Sequence, residues 1–193
     1  MKLSTLSACV VLLVLVPLAA ADIKGWNCAA DGDTALSMNS ITWDEPTYTM
    51  NCDGRLHWWP AHIVGDFTTD TEEDPIVWVR NTVYNDAEVL PLSWTDFHLN
   101  IYMNKPFTIT GTATLPDWTV SNVTQPTQLS SPWIGTVDYL GGTAINFGDW
   151  GEFDVRLSFL GSIAYTIEMI PTPEPASLLM LALGTLLVRG RNR

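Results

Sequence analysis

Two neighbouring tryptophans carry the most suggestive chemistry in the sequence. Trp58 and Trp59 stand beside His57 and His62. On a strand, neighbouring side chains point to opposite faces of the sheet, so one of the two indoles has to leave the core. An exposed indole can stack on a sugar ring, which makes Trp58 and Trp59 candidate carbohydrate-binding residues. Aromatic residues are also common in sheets and cores, so packing is the alternative interpretation.

Metal ligation by histidine is a second chemistry to consider. His57, His62 and His98 supply three imidazoles, but their spacing matches no common zinc site. We therefore expect no metal and no cofactor.

Carboxylates offer oxygen ligands for calcium at two places, Asp31-Gly32-Asp33 and an acidic stretch further along the chain. Neither place has the glycine and the closing glutamate of a helix-loop-helix calcium site. The pattern favours solvated loops, with calcium binding left open as the alternative. The residues of the acidic stretch are Asp66, Asp70, Glu72, Glu73 and Asp74.

Hydrolysis would require a nucleophile beside a base, or two opposed carboxylates. Ser93, Asp96 and His98 lie close in sequence. On a strand, however, Asp96 and His98 share one face while Ser93 points to the other. The sequence also contains no glycine-rich phosphate loop and no serine elbow. We expect a protein without enzymatic activity, and a secreted hydrolase assembled from distant strands is an alternative.

Strands are the elements that must position these residues. Nine Trp, twelve Pro and thirteen Gly favour strands and turns over helices. Alternation is clearest over 152–159, where Phe153, Val155, Leu157 and Phe159 face one side. Residues 163–170 alternate as well, and the intervening Gly161-Ser162 predicts a hairpin between the two strands.

The sequence thus predicts an all-β fold, an antiparallel two-sheet β-sandwich of about nine strands. Turn residues at Asp53-Gly54, Asn104-Lys105-Pro106, Pro116-Asp117 and Gly141-Gly142 are expected to separate strands. The predicted strands are 41–50, 56–67, 76–84, 94–103, 107–114, 118–123, 133–140, 152–159 and 163–170.

The N-terminal segment has the pattern of a secretory signal peptide. Lys2 precedes an apolar run over 8–18, and Ala19-Ala20-Ala21 supplies the small residues that signal peptidase requires. Cleavage is predicted after Ala21, which gives a signal peptide over 1–21 and an exported domain over 22–170. Export removes Cys9, and the remaining pair in an oxidising compartment, Cys28 and Cys52, predicts a disulfide.

The exported domain is strongly acidic. Residues 22–172 contain twenty Asp and Glu against five Lys and Arg. This excess argues against a nucleic-acid partner, because phosphates require basic side chains. Solubility of an exported domain is a sufficient reason for the charge.

The C-terminal segment, 171–193, begins with a stiff proline-rich linker that contains Pro173-Glu174-Pro175 and is predicted to end the sheet at residue 170. An apolar helix is predicted over 176–188, followed by Arg189, Arg191 and Arg193. At 1.5 Å per residue the helix is about 20 Å long, short of the roughly 30 Å hydrocarbon core, which favours a transient span. The arginines orient its end towards the cytoplasm.

These three parts, in this order, resemble the sorting tail of the PEP-CTERM family of exported bacterial proteins. The resemblance implies recognition by an exosortase, a membrane transpeptidase that cuts near Pro173-Glu174-Pro175. It also implies delivery to the cell surface or the extracellular matrix. We interpret the chain as a non-enzymatic cell-envelope or matrix protein, anchored transiently or permanently through its C-terminal helix, with extracellular polysaccharide as a partner. A carbohydrate-binding module is the alternative function.

Overall fold

The computed structural model describes residues 22–72, 75–87, 92–128 and 132–173. The predicted signal peptide over 1–21 and the predicted helix over 176–188 lie outside these residues. The described backbone forms eleven strands and one short 3-10 helix, Glu45–Thr47. The strands are β1 (Ile23–Ala30), β2 (Leu36–Asp44), β3 (Thr49–Leu56), β4 (Ala61–Thr69), β5 (Ile76–Asn85), β6 (Trp94–Met103), β7 (Phe107–Thr114), β8 (Thr119–Thr127), β9 (Trp133–Ile145), β10 (Trp150–Phe159) and β11 (Ile163–Pro173).

The strands form two sheets, which confirms the predicted all-β, two-sheet architecture. The six-stranded sheet has the order β1-β4-β11-β6-β9-β8, and the five-stranded sheet has the order β2-β3-β5-β10-β7. The predicted purely antiparallel pairing is wrong at one place, because β3 and β5 are parallel. The strand between them in sequence, β4, belongs to the other sheet, so the chain crosses over and returns before β5 begins.

Aromatic side chains from both sheets meet in the core. Phe97 of β6 stacks face to face on Phe153 of β10, with ring centroids 3.7 Å apart and planes 5° from parallel. Trp118 and Tyr139 meet the Phe153 ring edge-on, an arrangement that aromatic rings favour. The Tyr139 hydroxyl donates a hydrogen bond to the backbone carbonyl of Asp154 at 2.8 Å, so its buried polar atom has a partner.

Two of the nine predicted strands each turned out to contain a turn. The prediction over 41–50 spans the end of β2, the 3-10 helix and the start of β3, and Tyr48 adopts a left-handed conformation there, with φ 46°. The prediction over 56–67 spans the bends at 57–60 between β3 and β4. Strand β1 was missed altogether, since on this edge strand only Ile23 and Cys28 are buried and no clear alternation marks it.

Two predicted turns lie inside strands. Asp53-Gly54 belongs to β3 and Gly141-Gly142 to β9. A Cβ on Gly141 would lie 2.3 Å from the Thr95 carbonyl oxygen, and one on Gly142 would lie 2.1 Å from that of Asp117. These glycines allow close approach of neighbouring backbone rather than a change of direction.

The alternation over 152–159 is confirmed, since Phe153, Val155, Leu157 and Phe159 are all buried. The predicted hairpin is wrong, because β10 pairs with β5 and β7 whereas β11 pairs with β4 and β6. The connection at Gly161, with φ 60°, carries the chain from one sheet to the other. Both strands bury one apolar face, but they face the same core from opposite sides.

Candidate functional site

The tail joins the domain at the end of β11. Pro171, Thr172 and Pro173 pair with β6, with Pro173 opposite Trp94, and Pro171 is buried. The prediction that prolines end the sheet at residue 170 is therefore wrong. The pairing with β4 ends at Met169. Among the described residues, β11 has no partner strand on that side beyond Met169, and proline is tolerated on an unpaired edge.

The rest of the predicted sorting signal lies outside the described residues. Those residues are Glu174, Pro175, Arg189, Arg191 and Arg193. Pro173 is thus both the last residue of β11 in the described part of the chain and the first residue of the Pro-Glu-Pro motif.

A hydrogen-bond chain crosses the outer face of the six-stranded sheet to the tail junction. His98 Nδ1 lies 2.8 Å from Asp138 Oδ1, and His98 Nε2 lies 3.2 Å from Thr172 Oγ1. With a carboxylate beside it, Nδ1 carries the proton and Nε2 accepts from the threonine hydroxyl. Burial raises the pKa of Asp138, but hydrogen bonds from His98 and Asn122 outweigh it and hold this pKa below its usual value.

The considered triad of Ser93, Asp96 and His98 is not assembled. The Ser93 hydroxyl donates to Asn146 at 2.8 Å, whereas His98 bonds Asp138 and Thr172. Asp138, His98 and Thr172 do form a carboxylate–imidazole–hydroxyl series like that of a catalytic triad. A hydrolase, however, also needs hydrogen-bond donors for the developing oxyanion. Two surface cavities of about 220 Å³ lie elsewhere, and Thr172 lines neither of them.

A second polar network lies on the same sheet face, around Glu168 of β11. Its Oε2 accepts hydrogen bonds from Asn100 at 2.6 Å and from Tyr102 at 2.9 Å, and its Oε1 lies 3.5 Å from His62 Nε2. Burial raises the pKa of Glu168, while the hydrogen bonds from Asn100, Tyr102 and His62 together lower it below the usual range. Glu168 is therefore held as a carboxylate.

The three histidines lie in three different surroundings. His57 lies near Ser37 and Asp86, His62 near Asp31 and Glu168, and His98 near Asp138 and Thr172. The three imidazoles therefore do not come together as one group of ligands. The structure does, however, bring His62 of β4 to the Asp31-Gly32-Asp33 loop. Nothing in the sequence indicated this proximity, because the two segments meet only through the pairing of β1 with β4.

The tryptophan pair lies on a loop rather than on a strand. Trp58 and Trp59 belong to the bends between β3 and β4. Trp58 is 46% exposed, with its ring 6.4 Å from that of His57, whereas Trp59 is half-buried and packs against the core. One indole is thus available to a ligand, although not for the reason given by strand geometry.

The predicted disulfide partners lie side by side. Cys28 of β1 and Cys52 of β3 are both buried and free, with sulfur atoms 3.6 Å apart. The contact between the two sulfur atoms lies between the sheets, since β1 and β3 belong to different sheets.

The acidic stretch is spread along exposed positions. Asp66 lies on β4, Asp70 contacts Lys24 at 3.5 Å, and Glu72 contacts Lys105 at 3.9 Å. Glu73 and Asp74 lie outside the described residues. These described carboxylates face lysines or solvent rather than one another.

Comparison with known families identifies the tail. A family model of the PEP-CTERM protein-sorting motif matches residues 171–193, which confirms the resemblance over that segment. The motif implies an exported protein that is targeted to an exosortase. No curated protein matches the chain. In the part of the chain that the structure describes, no helix is long and apolar enough to cross a membrane.

Proposed function

We propose that this chain is a non-enzymatic structural or interaction protein of the cell envelope or extracellular matrix, sorted and cleaved through its C-terminal tail. The observation that carries the proposal is the position of the sorting motif. The family match begins at Pro171, inside β11, and the Pro-Glu-Pro motif begins at Pro173, where the described strand ends. A folded domain followed directly by a processing signal is the arrangement that a sorted substrate requires.

The mechanism of sorting divides between the domain and the tail. The domain folds outside the cytoplasm, and the apolar segment over 176–188 enters the membrane with the arginines on the inner side. The segment after Pro173 then lies at the outer membrane surface, where an exosortase reaches it. The covalent chemistry belongs to that enzyme, and the domain supplies a fixed starting point for the tail.

The rigid junction favours this role. Thr172 is bound to His98, and His98 to Asp138, so the last residues of β11 are held to the strand next to them. A force applied to the tail therefore acts on β11, an inner strand of the six-stranded sheet that lies between β4 and β6. We expect this arrangement to keep the domain folded while it is attached to the membrane.

The test is a paired substitution in the motif. Glu174→Ala with Pro175→Ala leaves Pro173 in the sheet, and we expect export to continue while C-terminal cleavage stops. Pro171→Ala, a change of the same kind just upstream, should leave cleavage intact. Unchanged mass and fractionation of the double variant would refute the sorting role.

A carbohydrate contact is a second candidate function, favoured by the exposure of Trp58. Its indole is 46% accessible and stands on a loop, where a polysaccharide chain can approach it without opening the core. Stacking on a sugar ring uses this kind of flat apolar surface. Such a contact would attach the domain to the matrix after the tail is removed.

A further inference from the structure

Three ligand atoms converge where the end of β1 meets the start of β4. His62 Nδ1 lies 2.9 Å from Asp31 Oδ2 and 3.8 Å from Asp33 Oδ2. The ligand atoms of these three residues all lie within 4.8 Å of one another. The pairing of Ala30 with Ile63 and a bond from the Asp31 N–H to the His62 carbonyl at 3.3 Å hold the two segments together.

Backbone hydrogen bonds orient both carboxylates. Asp31 Oδ1 accepts from the Asp33 N–H at 3.1 Å, and Asp33 Oδ1 accepts from the Ala35 N–H at 2.8 Å. Each aspartate therefore has one oxygen fixed by the loop backbone, and the other oxygen, Oδ2, faces His62.

The imidazole of His62 is oriented from its other side. Its Nε2 faces Glu168 Oε1 at 3.5 Å, and Asn100 and Tyr102 hold that carboxylate in place. With a metal bound, Nδ1 supplies its lone pair and the proton lies on Nε2, directed at Glu168. A carboxylate behind a ligating histidine is the usual outer partner at protein metal sites.

His62 Nδ1 is the atom that points to a ligand. It is buried, and its nearest partner is Asp31 Oδ2 at 2.9 Å. A metal ion bound here takes the place of the proton that such a pair shares. Two carboxylates beside Nδ1 favour positive charge at this position, which either a proton or a metal cation supplies. A metal cation, unlike a proton, can bond to all three ligand atoms at once.

We propose that Asp31, Asp33 and His62 bind a divalent transition-metal ion, with Glu168 as the carboxylate that orients His62. One nitrogen and two carboxylate oxygens suit Zn²⁺ and its neighbours, whereas Ca²⁺ and Mg²⁺ prefer oxygen ligands throughout. Zinc bonds of about 2.0–2.2 Å require the two aspartates to move slightly towards His62. Their side chains are 26% and 43% exposed, which leaves them free to do so.

The three ligands leave one tetrahedral position to solvent. The proposed site is therefore an open one, able to take a water molecule or a donor group from outside the chain. It lies at the end of the sandwich from which the tail emerges, because Met169 of β11 pairs with Ala61, the residue before His62. The proposal does not depend on sorting and is tested separately from it.

The experiment is calorimetric titration of the chelator-treated full chain with ZnCl₂. We expect one ion bound per chain, with at least about a tenfold loss of affinity in His62→Gln and in Asp33→Asn. His98→Gln is the matched control, since His98 pairs with Asp138 at 2.8 Å on the same sheet face without a second carboxylate beside it. This control should bind as the wild type does, and CaCl₂ should give no heat.

Thermal unfolding gives an independent result on the same proteins. Zinc should raise the unfolding temperature of the wild type and of His98→Gln, because a ligand that binds the folded state stabilises it. Zinc should not raise the unfolding temperature of Asp33→Asn. Because the Asp33 side chain is exposed, this substitution should leave the fold intact, so the missing effect would report lost binding. Absence of binding by the wild type, or equal binding by His62→Gln and Asp33→Asn, would overturn the proposal.

Discussion

Pro173 pairs with Trp94 across β11 and β6, and Trp94 is completely buried. The first residue of the Pro-Glu-Pro motif is therefore part of the folded sheet and lies opposite a core residue. In the described residues, β11 continues to residue 173, three residues past the end of the strand predicted from the prolines. A processing enzyme that cuts after this residue works directly against the edge of a folded domain.

The new boundary predicts a difference between two shortened chains. A chain ending at Pro173 should be as stable as the full domain, whereas one ending at Ile170 loses the pairing with Phe97, Asp96 and Trp94. Loss of these contacts and of the bond between Thr172 and His98 should cost about 1–3 kcal/mol. Urea unfolding of the two chains measures the difference, and equal stabilities would show that residues 171–173 contribute nothing.

A disulfide between Cys28 and Cys52 should form in the exported protein. The sulfurs are 3.6 Å apart in the core, and the oxidising compartment outside the cytoplasm favours the bond. Because the bond closes a loop between residues 24 apart in sequence, it should stabilise the domain by about 3 kcal/mol. A thiol assay of the unfolded exported protein should detect no free thiol before reduction and two afterwards.

The control for the disulfide is the double variant Cys28→Ser with Cys52→Ser. Its unfolding should not respond to reductant, while the wild type should lose stability when reduced. Two free thiols in the exported wild type would contradict the prediction.

Asp154 should make the domain less stable as the pH rises. Burial is the main cause that raises the pKa of Asp154 to about 6, and Glu152 raises it further, while Arg80 and the Asn81 N–H act in the opposite direction. The folded state therefore holds this proton more tightly than the unfolded state, whose pKa is near 3.8. The stability from this group is complete below about pH 4 and is lost as the pH rises through 6.

Asp154→Asn should remove the loss of folding stability that occurs as the pH rises through 6. The amide keeps an oxygen for the Asn81 N–H, so the variant should exceed the wild type by up to about 3 kcal/mol at pH 7.5, and the gap should close below pH 4. Asp117→Asn is the contrasting control, because the Thr143 N–H lowers the pKa of that exposed carboxyl. Urea unfolding between pH 4 and 8 checks this, and a gap that does not depend on pH would disprove the assignment.

Trp58→Ala should weaken attachment to extracellular polysaccharide without affecting the fold. The side chain is 46% exposed, so its removal should change the free energy of unfolding by less than about 0.5 kcal/mol. Trp26→Ala is a suitable comparison, since Trp26 is also exposed but stacks on Trp43. Retention on polysaccharide from the host should fall for Trp58→Ala and not for Trp26→Ala. Equal retention of the two variants would contradict a carbohydrate-binding role for Trp58.

Much of the strand content could be predicted because burial on one side leaves a period of two in the sequence. Strand β6 was predicted with its observed bounds, and Phe153 to Phe159 fill the core in the predicted alternation. Pairing partners could not be predicted, because alternation records that a strand has a buried face but not which sheet provides it. Strands β10 and β11 look like a hairpin for this reason and lie in different sheets.

The candidate sites likewise differ in whether the sequence alone can predict them. The sorting motif is a continuous segment, so its residues can be recognised without knowledge of the fold. The group of Asp31, Asp33 and His62 exists only because β1 pairs with β4, and the chain from Asp138 through His98 to Thr172 requires three strands to be neighbours. Spacing along the sequence carries no record of either arrangement.

Intact mass of the protein recovered from its native host, in separate membrane and extracellular fractions, distinguishes cleavage of the tail from permanent anchoring. We expect an extracellular species that begins at Asp22 and ends between Pro173 and Pro175, cut at both ends. A membrane species that retains Arg193, with no shortened form outside the cell, would show that the tail is a permanent anchor and would contradict processing by an exosortase.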